Sequence, residues 1–232
     1  MGRLYDLAVI GAGPAGSACA RRAAERGLSC LLLERSRFPR TKPCAGGLTG
    51  AAVAELGDAV ARLPHLPLRT VDIDFGPTGA LRWQGEAPVI VTTIRRELDS
   101  DLAREAENAG ARIEFGVSAG GVREERGRVV IGTTDGERAA RHVVAADGAR
   151  GRLRFGVGLT PFTAFAAAYV RALPPDGRVP EPLASRALFD LHAVPRGYGW
   201  VFPKRDHLNV GVFARRPPGR WMLRALGQFV EE

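Results

Sequence analysis

Cysteine is scarce in this sequence. Its 232 residues hold three, Cys19, Cys30 and Cys44, with no CxxC pair and no Cys/His spacing of the kind zinc needs. A disulfide scaffold and a structural zinc site are thereby excluded, and a reducing compartment fits. No run of 18 apolar residues occurs, so no segment reads as a membrane-spanning helix. The apolar stretch from Leu7 to Ala20 is broken by Gly11, Gly13, Pro14 and Gly16 and has no basic leader of any length, so it does not read as a signal peptide. Lysine is nearly missing: only Lys42 and Lys204 are present, and arginine supplies the rest of the basic residues. The net charge of +8 permits a nucleic acid, an anionic lipid or a phosphorylated cofactor as partner without choosing among them. The arginines are dispersed and lack interleaved aromatics, which argues against a base-stacking surface and nucleic-acid binding. Internal repeats and low-complexity blocks are absent too.

What is present is an ordinary globular mixture, 45% hydrophobic and 25% charged, long enough for one generous domain or two small ones. Residues 5–10 read as a short buried strand. Residues 14–26 read as a helix, with the small residues Ala15, Cys19 and Ala23 as its sheet-facing stripe and Gly27 as its stop. Residues 29–34 read as a second buried strand, which completes a βαβ unit of a parallel sheet. An Arg/Pro/Gly-rich loop covers 35–50, and 50–62 look helical. The β-like runs 71–75, 79–83 and 88–93 break the βα alternation and are assigned to a different sheet. An amphipathic helix over 95–109 presents Leu98, Leu102 and Ala106 on one face. Strands follow near 111–117, 120–124 and 128–134, and the run 137–146 ends in a buried Val143-Val144-Ala145-Ala146. The segment 155–216 is strand-like, and 217–232 forms a short amphipathic helix. The fold class is therefore α/β.

Gly11-Ala12-Gly13-Pro14-Ala15-Gly16 is a G-x-G-x-x-G that leaves a buried strand and opens a helix, and Glu34 ends the next strand. That context is what dinucleotide binding requires. Gly11 permits the turn, Gly13 lets backbone approach a pyrophosphate, and Gly16 lets helix and strand close up; the helix start presents unpaired N–H groups to negative charge, and a carboxylate at Glu34 suits ribose hydroxyls. Asp147, in Ala146-Asp147-Gly148-Ala149-Arg150, ends a strand and points into the crevice where such folds bind ligands.

These motifs, with Val143 to Arg154, resemble FAD-dependent oxidoreductases of the aromatic hydroxylase type. Two further stretches narrow the resemblance to the geranylgeranyl reductase family: Lys42-Pro43-Cys44-Ala45-Gly46-Gly47-Leu48, and Pro195-Arg196-Gly197-Tyr198-Gly199-Trp200-Val201-Phe202-Pro203, which fits P-x-x-Y-x-W-x-F-P. The resemblance runs from Asp6 to about Phe213. It implies a Rossmann-like FAD-binding domain from 1–70 and 95–155, and an interposed β-rich substrate layer from 71–94 and 156–216. Gly11, Gly13, Pro14, Ala15, Gly16, Glu34 and Arg35 would hold the ADP half of FAD. Arg95, Asp147 and Gly148 would lie near its pyrophosphate and ribityl chain, and the backbone of Val117 would pass the adenine; a solvated helix start explains Arg95 as well. Lys42, Cys44, Gly46 and Gly47 would line the flavin ring.

Tyr198, Trp200 and Phe202, at strand spacing, would form a lipid-facing wall, although a packed core explains the stripe equally well. An ordinary cysteine thiol, with a pKa of about 8.5, is largely protonated at neutral pH, so Cys44 is the candidate proton donor to an alkene; a structural cysteine in a Pro-Gly loop is the plain alternative. The resemblance implies a reductase of isoprenoid C=C bonds that draws electrons from NAD(P)H or another reductant. It also implies a cytoplasmic location with contact at the inner face of a membrane. An aromatic monooxygenase or halogenase, or a truncated non-catalytic relative, are the alternatives. The family has Ser where Gly151 stands, and its later Gly-Asp cofactor motif is not in these residues, so the chain is expected to be a fragment or a shortened relative with its last helix truncated.

Overall fold

The computed structural model describes residues 3–149, 151, 153, 158, 166–172 (backbone only), 179–215 and 219–231. The chain divides into two compact units, Met1–Thr41 with Arg96–Phe162 and Lys42–Arg95 with Thr163–Glu232. The first boundary therefore falls at 41/42, where sequence patterning placed it at 70/71.

Unit 1 is built on a six-stranded sheet in the order β8-β2-β1-β11-β10-β9. Its strands are β1 (Leu4–Ile10), β2 (Cys30–Glu34), β8 (Arg112–Phe115), β9 (Ala119–Glu125), β10 (Arg128–Thr133) and β11 (Gly136–Ala145). The four strands β8, β2, β1 and β11 are parallel, and β10 and β9 close the sheet antiparallel. Every residue of β2 is buried because both faces of the strand are covered. Leu31 and Leu33 pack with Tyr5, Ile10 and Ile131, while Cys30 and Leu32 pack with Val9, Ala20 and Ala106. The second face takes helix α1 (Pro14–Glu25) and helix α4 (Arg95–Asn108), which are pinned to each other by Arg21–Glu105 at 3.2 Å. Leu98, Leu102 and Ala106 are buried on α4 as the spacing predicts.

Two features of unit 1 differ from the expectation. The buried face of α1 is Gly16, Ser17, Ala20 and Ala23, and Ala15 is exposed. The helical phase is set by Gly16, the residue that can touch the turn below, rather than by the run of small side chains. Val143, Val144 and Ala145 are half-buried or exposed, and within β11 only Ala140 is buried.

Unit 2 holds a six-stranded sheet, β12-β15-β14-β13-β5-β6, and a three-stranded sheet, β3-β7-β4. The large sheet comprises β5 (Thr70–Asp74), β6 (Ala80–Gln84), β12 (Ala166–Ala172), β13 (Arg186–Asp190), β14 (Gly197–Pro203) and β15 (Leu208–Ala214); β13 and β5 run parallel and the other neighbours antiparallel. The small sheet comprises β3 (Gly47–Thr49), β4 (His65–Leu68) and β7 (Ile90–Thr93). The expected helix over 50–62 is two short ones, α2 (Gly50–Leu56) and α3 (Asp58–Arg62), split at Gly57 with φ 56°. A short α5 (Glu181–Ala184) precedes β13.

One face of the large sheet, with Val201, Val210 and Val212, is covered by the amphipathic helix α6 (Arg220–Glu231) through Leu226 and Phe229. Phe229 presses so closely on Gly199 that a Cβ there would stand 2.5 Å from its ring. The opposite face carries Val71, Ala187, Trp200 and Phe202, packed against Leu68 and Ile90 of the small sheet.

Candidate functional site

In unit 1 the end of β1 turns at Gly11, whose φ of +105° favours glycine. A Cβ on Gly11 would run into the Ala146 carbonyl, and one on Gly16 into the Gly11 carbonyl. Turn, helix start and the segment leaving β11 are therefore in backbone contact, fixed also by Ala146 N–H donating to Ile10 O at 2.8 Å. Gly13 and Gly148 differ. The nearest atom to a Cβ on Gly13 is Nη2 of Arg40 at 4.0 Å, and nothing lies within 4 Å of one on Gly148. Backbone N–H groups at this helix start are thus open to an anion, with Pro14 supplying the fixed φ of the first turn.

Glu34 is 5% exposed. Its Oε2 accepts from Ala12 N–H at 2.9 Å and its Oε1 from Ser36 N–H at 3.0 Å. Each oxygen keeps a lone pair for a ligand hydroxyl. The closed contacts at Gly11 and Gly16, the open backbone at Gly13 and Gly148 and this anchored carboxylate fit the ADP half of a dinucleotide.

Arg40 was invisible in the sequence among the arginines of an irregular loop. Its guanidinium lies between Glu34 (3.7 Å) and the fully buried Asp99 (3.0 Å), stacked on Phe38 and facing Gly13. It adds positive charge where the turn is open.

Asp147 follows β11, and its Oδ2 accepts Leu153 N–H at 3.3 Å; a Cβ on Gly151 would collide with its carboxylate, so glycine rather than serine fits there. Val117 is buried in the core and donates its N–H to Glu34 O at 3.0 Å. Arg35 and Ala15 are exposed. A cavity of about 490 Å³ lined by Arg3, Tyr5, Arg112 and Arg138 opens at the start of β1, the end away from the glycine turn, and is not the nucleotide site.

Unit 2 builds a second cluster. Gly46 (φ +67°) pairs with Thr93, accepting its N–H at 2.8 Å, and a Cβ on Gly46 would meet the Thr93 carbonyl. Lys204 is buried beneath this corner, its Nζ donating to Ala45 O at 2.7 Å and Thr93 O at 3.0 Å. Burial pulls the ammonium down from 10.5 to about 8, with Cys44 pulling weakly the other way. The Cys44 sulfur accepts Gly46 N–H at 3.4 Å. Asn209 joins the corner to the aromatic strand: its Nδ2 donates to Cys44 O at 3.4 Å, and its Oδ1 accepts Trp200 Nε1–H at 2.7 Å.

Tyr198, Trp200 and Phe202 do share one face of β14, and the alternation extends to Phe213 and Phe189, which sequence reading passed over. Burial, with a smaller push from Cys44, raises the Tyr198 hydroxyl above its usual value. Gly47 packs against Phe202, leaving no room for a Cβ. Lys42 is exposed and Arg95 half-buried at the start of α4. Among the described residues no group of three or more His, Cys, Asp or Glu side chains could hold a metal, and no helix is long and apolar enough to cross a membrane.

A strand–glycine turn–helix carrying an anchored acidic residue defines a nucleotide-binding α/β protein, and the chain belongs to the FAD binding domain family, whose model matches residues 5–175. It is 35% identical to menaquinone reductase of Mycobacterium tuberculosis, over 91% of this chain and 56% of that protein. It is 34% identical to digeranylgeranylglycerophospholipid reductase 1 of Methanopyrus kandleri, over 98% of this chain and 63% of that protein. Among solved structures it resembles a geranylgeranyl bacteriochlorophyll reductase-like protein of Thermoplasma acidophilum, with TM-score 0.84 and 27% identity over 99% of this chain and 62% of that one. The chain thus spans between 56% and 63% of the length of these relatives.

Proposed function

We propose that this chain is the FAD-binding and prenyl-binding part of a reductase that saturates C=C bonds of an isoprenoid group. Unit 1 holds the ADP half of FAD through Gly11, Gly13, Gly16 and Glu34, with Arg40 and Asp147 beside it. Unit 2 supplies the substrate wall and the proton. The observation that carries the reading is the hydrogen-bonded chain from Trp200 through Asn209 to Cys44, which ties the aromatic face of β14 to a thiol-bearing corner. The names of the relatives, reductases of a prenylated quinone and of a digeranylgeranyl lipid, support the same substrate class.

Reduced FAD, when bound, supplies a hydride to one alkene carbon. The other carbon takes a proton from the Cys44 S–H, leaving a thiolate that solvent reprotonates. Lys204 sets a positive charge in the same corner. Tyr198, half-buried, offers its ring to the chain, and the buried Trp200 and Phe202 back that face and exclude water. Electrons come from NAD(P)H or another reductant, and the prenyl lipid is met at a membrane surface.

The test is anaerobic incubation of the FAD-loaded protein with a chemical reductant and geranylgeraniol, read by mass spectrometry. A gain of two hydrogens is expected, and Cys44→Ala should retain FAD while slowing the reaction on the order of a hundredfold. Unchanged turnover in that variant removes Cys44 from the chemistry. Product that forms only with oxygen points instead to a monooxygenase, and incorporated halide to a halogenase.

A further inference from the structure

The loop that follows β2 carries Arg40 back to the glycine turn. Three contacts fix its guanidinium there. Nη1 meets the Asp99 carboxylate at 3.0 Å, and Nε lies 3.7 Å from Glu34 Oε1. The central carbon stands 4.8 Å from the centre of the Phe38 ring, and that ring packs on Phe115 at the end of β8, with 5.0 Å between ring centres. A guanidinium is planar. An ion pair on one nitrogen, a second carboxylate beside another and a ring against its face leave it little freedom to turn. The remaining nitrogen, Nη2, is the one that looks toward Gly13. It lies 4.0 Å from where a Cβ would stand on Gly13, and no other atom of the described residues comes within that distance.

Asp99 is the member of this group that burial penalises most. It is fully buried on α4, among the apolar Leu98, Leu102, Ala103 and Ala106 of the same helix. A carboxylate is expensive to take out of water, and packing alone gives no reason to place one there. Asp101, the next buried acid of α4, pairs with Arg104 on its own helix. Asp99 reaches instead to the loop after β2, where its partner is the arginine that faces the turn. Gly13 is the position at which backbone approaches the pyrophosphate of a dinucleotide. The buried acid thus holds a cation whose open nitrogen lies at the pyrophosphate position.

We propose that Arg40 donates from Nη2 to the diphosphate of FAD, and that Asp99 is the positioning residue that aims it, acting on the cofactor only through Arg40. This rests on the placement of the ADP half of FAD in unit 1, and not on the choice of substrate. Charge and position make opposite predictions for Asp99. It is an acid beside a site for an anion, so its charge by itself weakens phosphate binding, and removing that charge would strengthen it. As the anchor of Arg40 it does the reverse. Without it the guanidinium has to be ordered when the ligand arrives, and its donors are no longer held toward Gly13. The sign of the effect therefore separates a positioning role from simple electrostatics.

The experiment measures binding of FAD by flavin fluorescence, and of ADP and adenosine by calorimetry. The wild-type protein is compared with Asp99→Asn, Arg40→Gln and the double variant, each checked for folding by circular dichroism. Asp99→Asn is expected to lower affinity for FAD and ADP about tenfold, and to change that for adenosine, which has no phosphate, by less than about twofold. Arg40→Gln should do the same. The double variant should bind no worse than Arg40→Gln alone, because a residue that acts through another adds nothing once the other is gone. Unchanged or tighter FAD binding in Asp99→Asn overturns the inference. So does an equal loss for ADP and adenosine, which marks damage to the fold, and so does a double variant that loses the product of the two single effects. If Asp99→Asn does not fold, Arg40→Lys decides the matter. It keeps the charge without the planar fork, so ADP affinity should fall about tenfold with adenosine unchanged, and ADP bound as in the wild type overturns the inference. A wild-type protein that binds neither FAD nor ADP overturns the cofactor placement as well.

Discussion

Lys204 sits in surroundings far from what its side chain prefers in water. Its ammonium is desolvated and held by two carbonyls. Folding favours its neutral form, because the folded pKa of about 8 lies below the 10.5 of the free side chain. Below pH 8 both states carry the proton and the fold bears the full cost, roughly 3 kcal/mol. Between about pH 8 and 10.5 the folded state has lost a proton that the unfolded state keeps, so this residue's contribution to stability rises with pH across that window. Lys204→Met should abolish the rise. Urea midpoints of the two proteins taken from pH 7 to 11 check this, and a wild-type advantage that does not grow above pH 8 contradicts it. Glu34 poses the opposite problem, a buried carboxylate satisfied by two N–H donors. In Glu34→Gln one of those donors would face an amide NH₂, at a cost of roughly 1–3 kcal/mol. FAD affinity should fall with it, measured by flavin fluorescence, because an acceptor for the ribose is lost.

At the scale of elements, β14 and β15 show how pairing turns a stripe into a site. Trp200 lies opposite Gly211, and its ring fills the space that a side chain would occupy there. Gly211→Ala should push the indole out of register, costing roughly 1–3 kcal/mol by overpacking. It should also weaken prenyl-alcohol binding beyond what the lost stability explains, as displacement of an apolar fluorescent probe from the folded variant would show. Trp200→Phe keeps most of the apolar bulk but leaves Asn209 Oδ1 without its donor inside the fold, at a cost of similar size. Loosening Asn209 also frees the Cys44 carbonyl. This variant should therefore change the rate of Cys44 alkylation by iodoacetamide, an effect that loss of packing alone would not produce. Helix α4 makes a contrasting point. Its apolar spacing was plain in the sequence, but its buried Asp99 was not, because a carboxylate on the inward face makes sense only once Arg40 is seen beside it.

At the scale of the whole molecule, ligand binding should register as stability. FAD at a hundred times its Kd adds about 2.7 kcal/mol to the folded state. For a chain of this length that is a rise in Tm of about 5–10 °C. In Gly16→Val, whose side chain has no space against the Gly11 carbonyl, the rise should vanish; differential scanning fluorimetry with and without FAD decides it. The amino-acid sequence alone determined the βαβ start, the glycine turn, the acidic residue closing β2, the Lys-Pro-Cys stretch and the aromatic alternation of β14. Each of these is written in residues close together along the chain, where the period of two or 3.6 and the chemistry of glycine and proline act directly. Only the tertiary structure decided which arginine, out of a chain full of them, faces Gly13. It alone put a lysine from the far end of the chain under the Ala45 and Thr93 carbonyls, and set the buried Asp99 against Arg40. Those partners are brought together by strand pairing and burial between segments distant in sequence, and local pattern carries no information about which distant segment will be the neighbour.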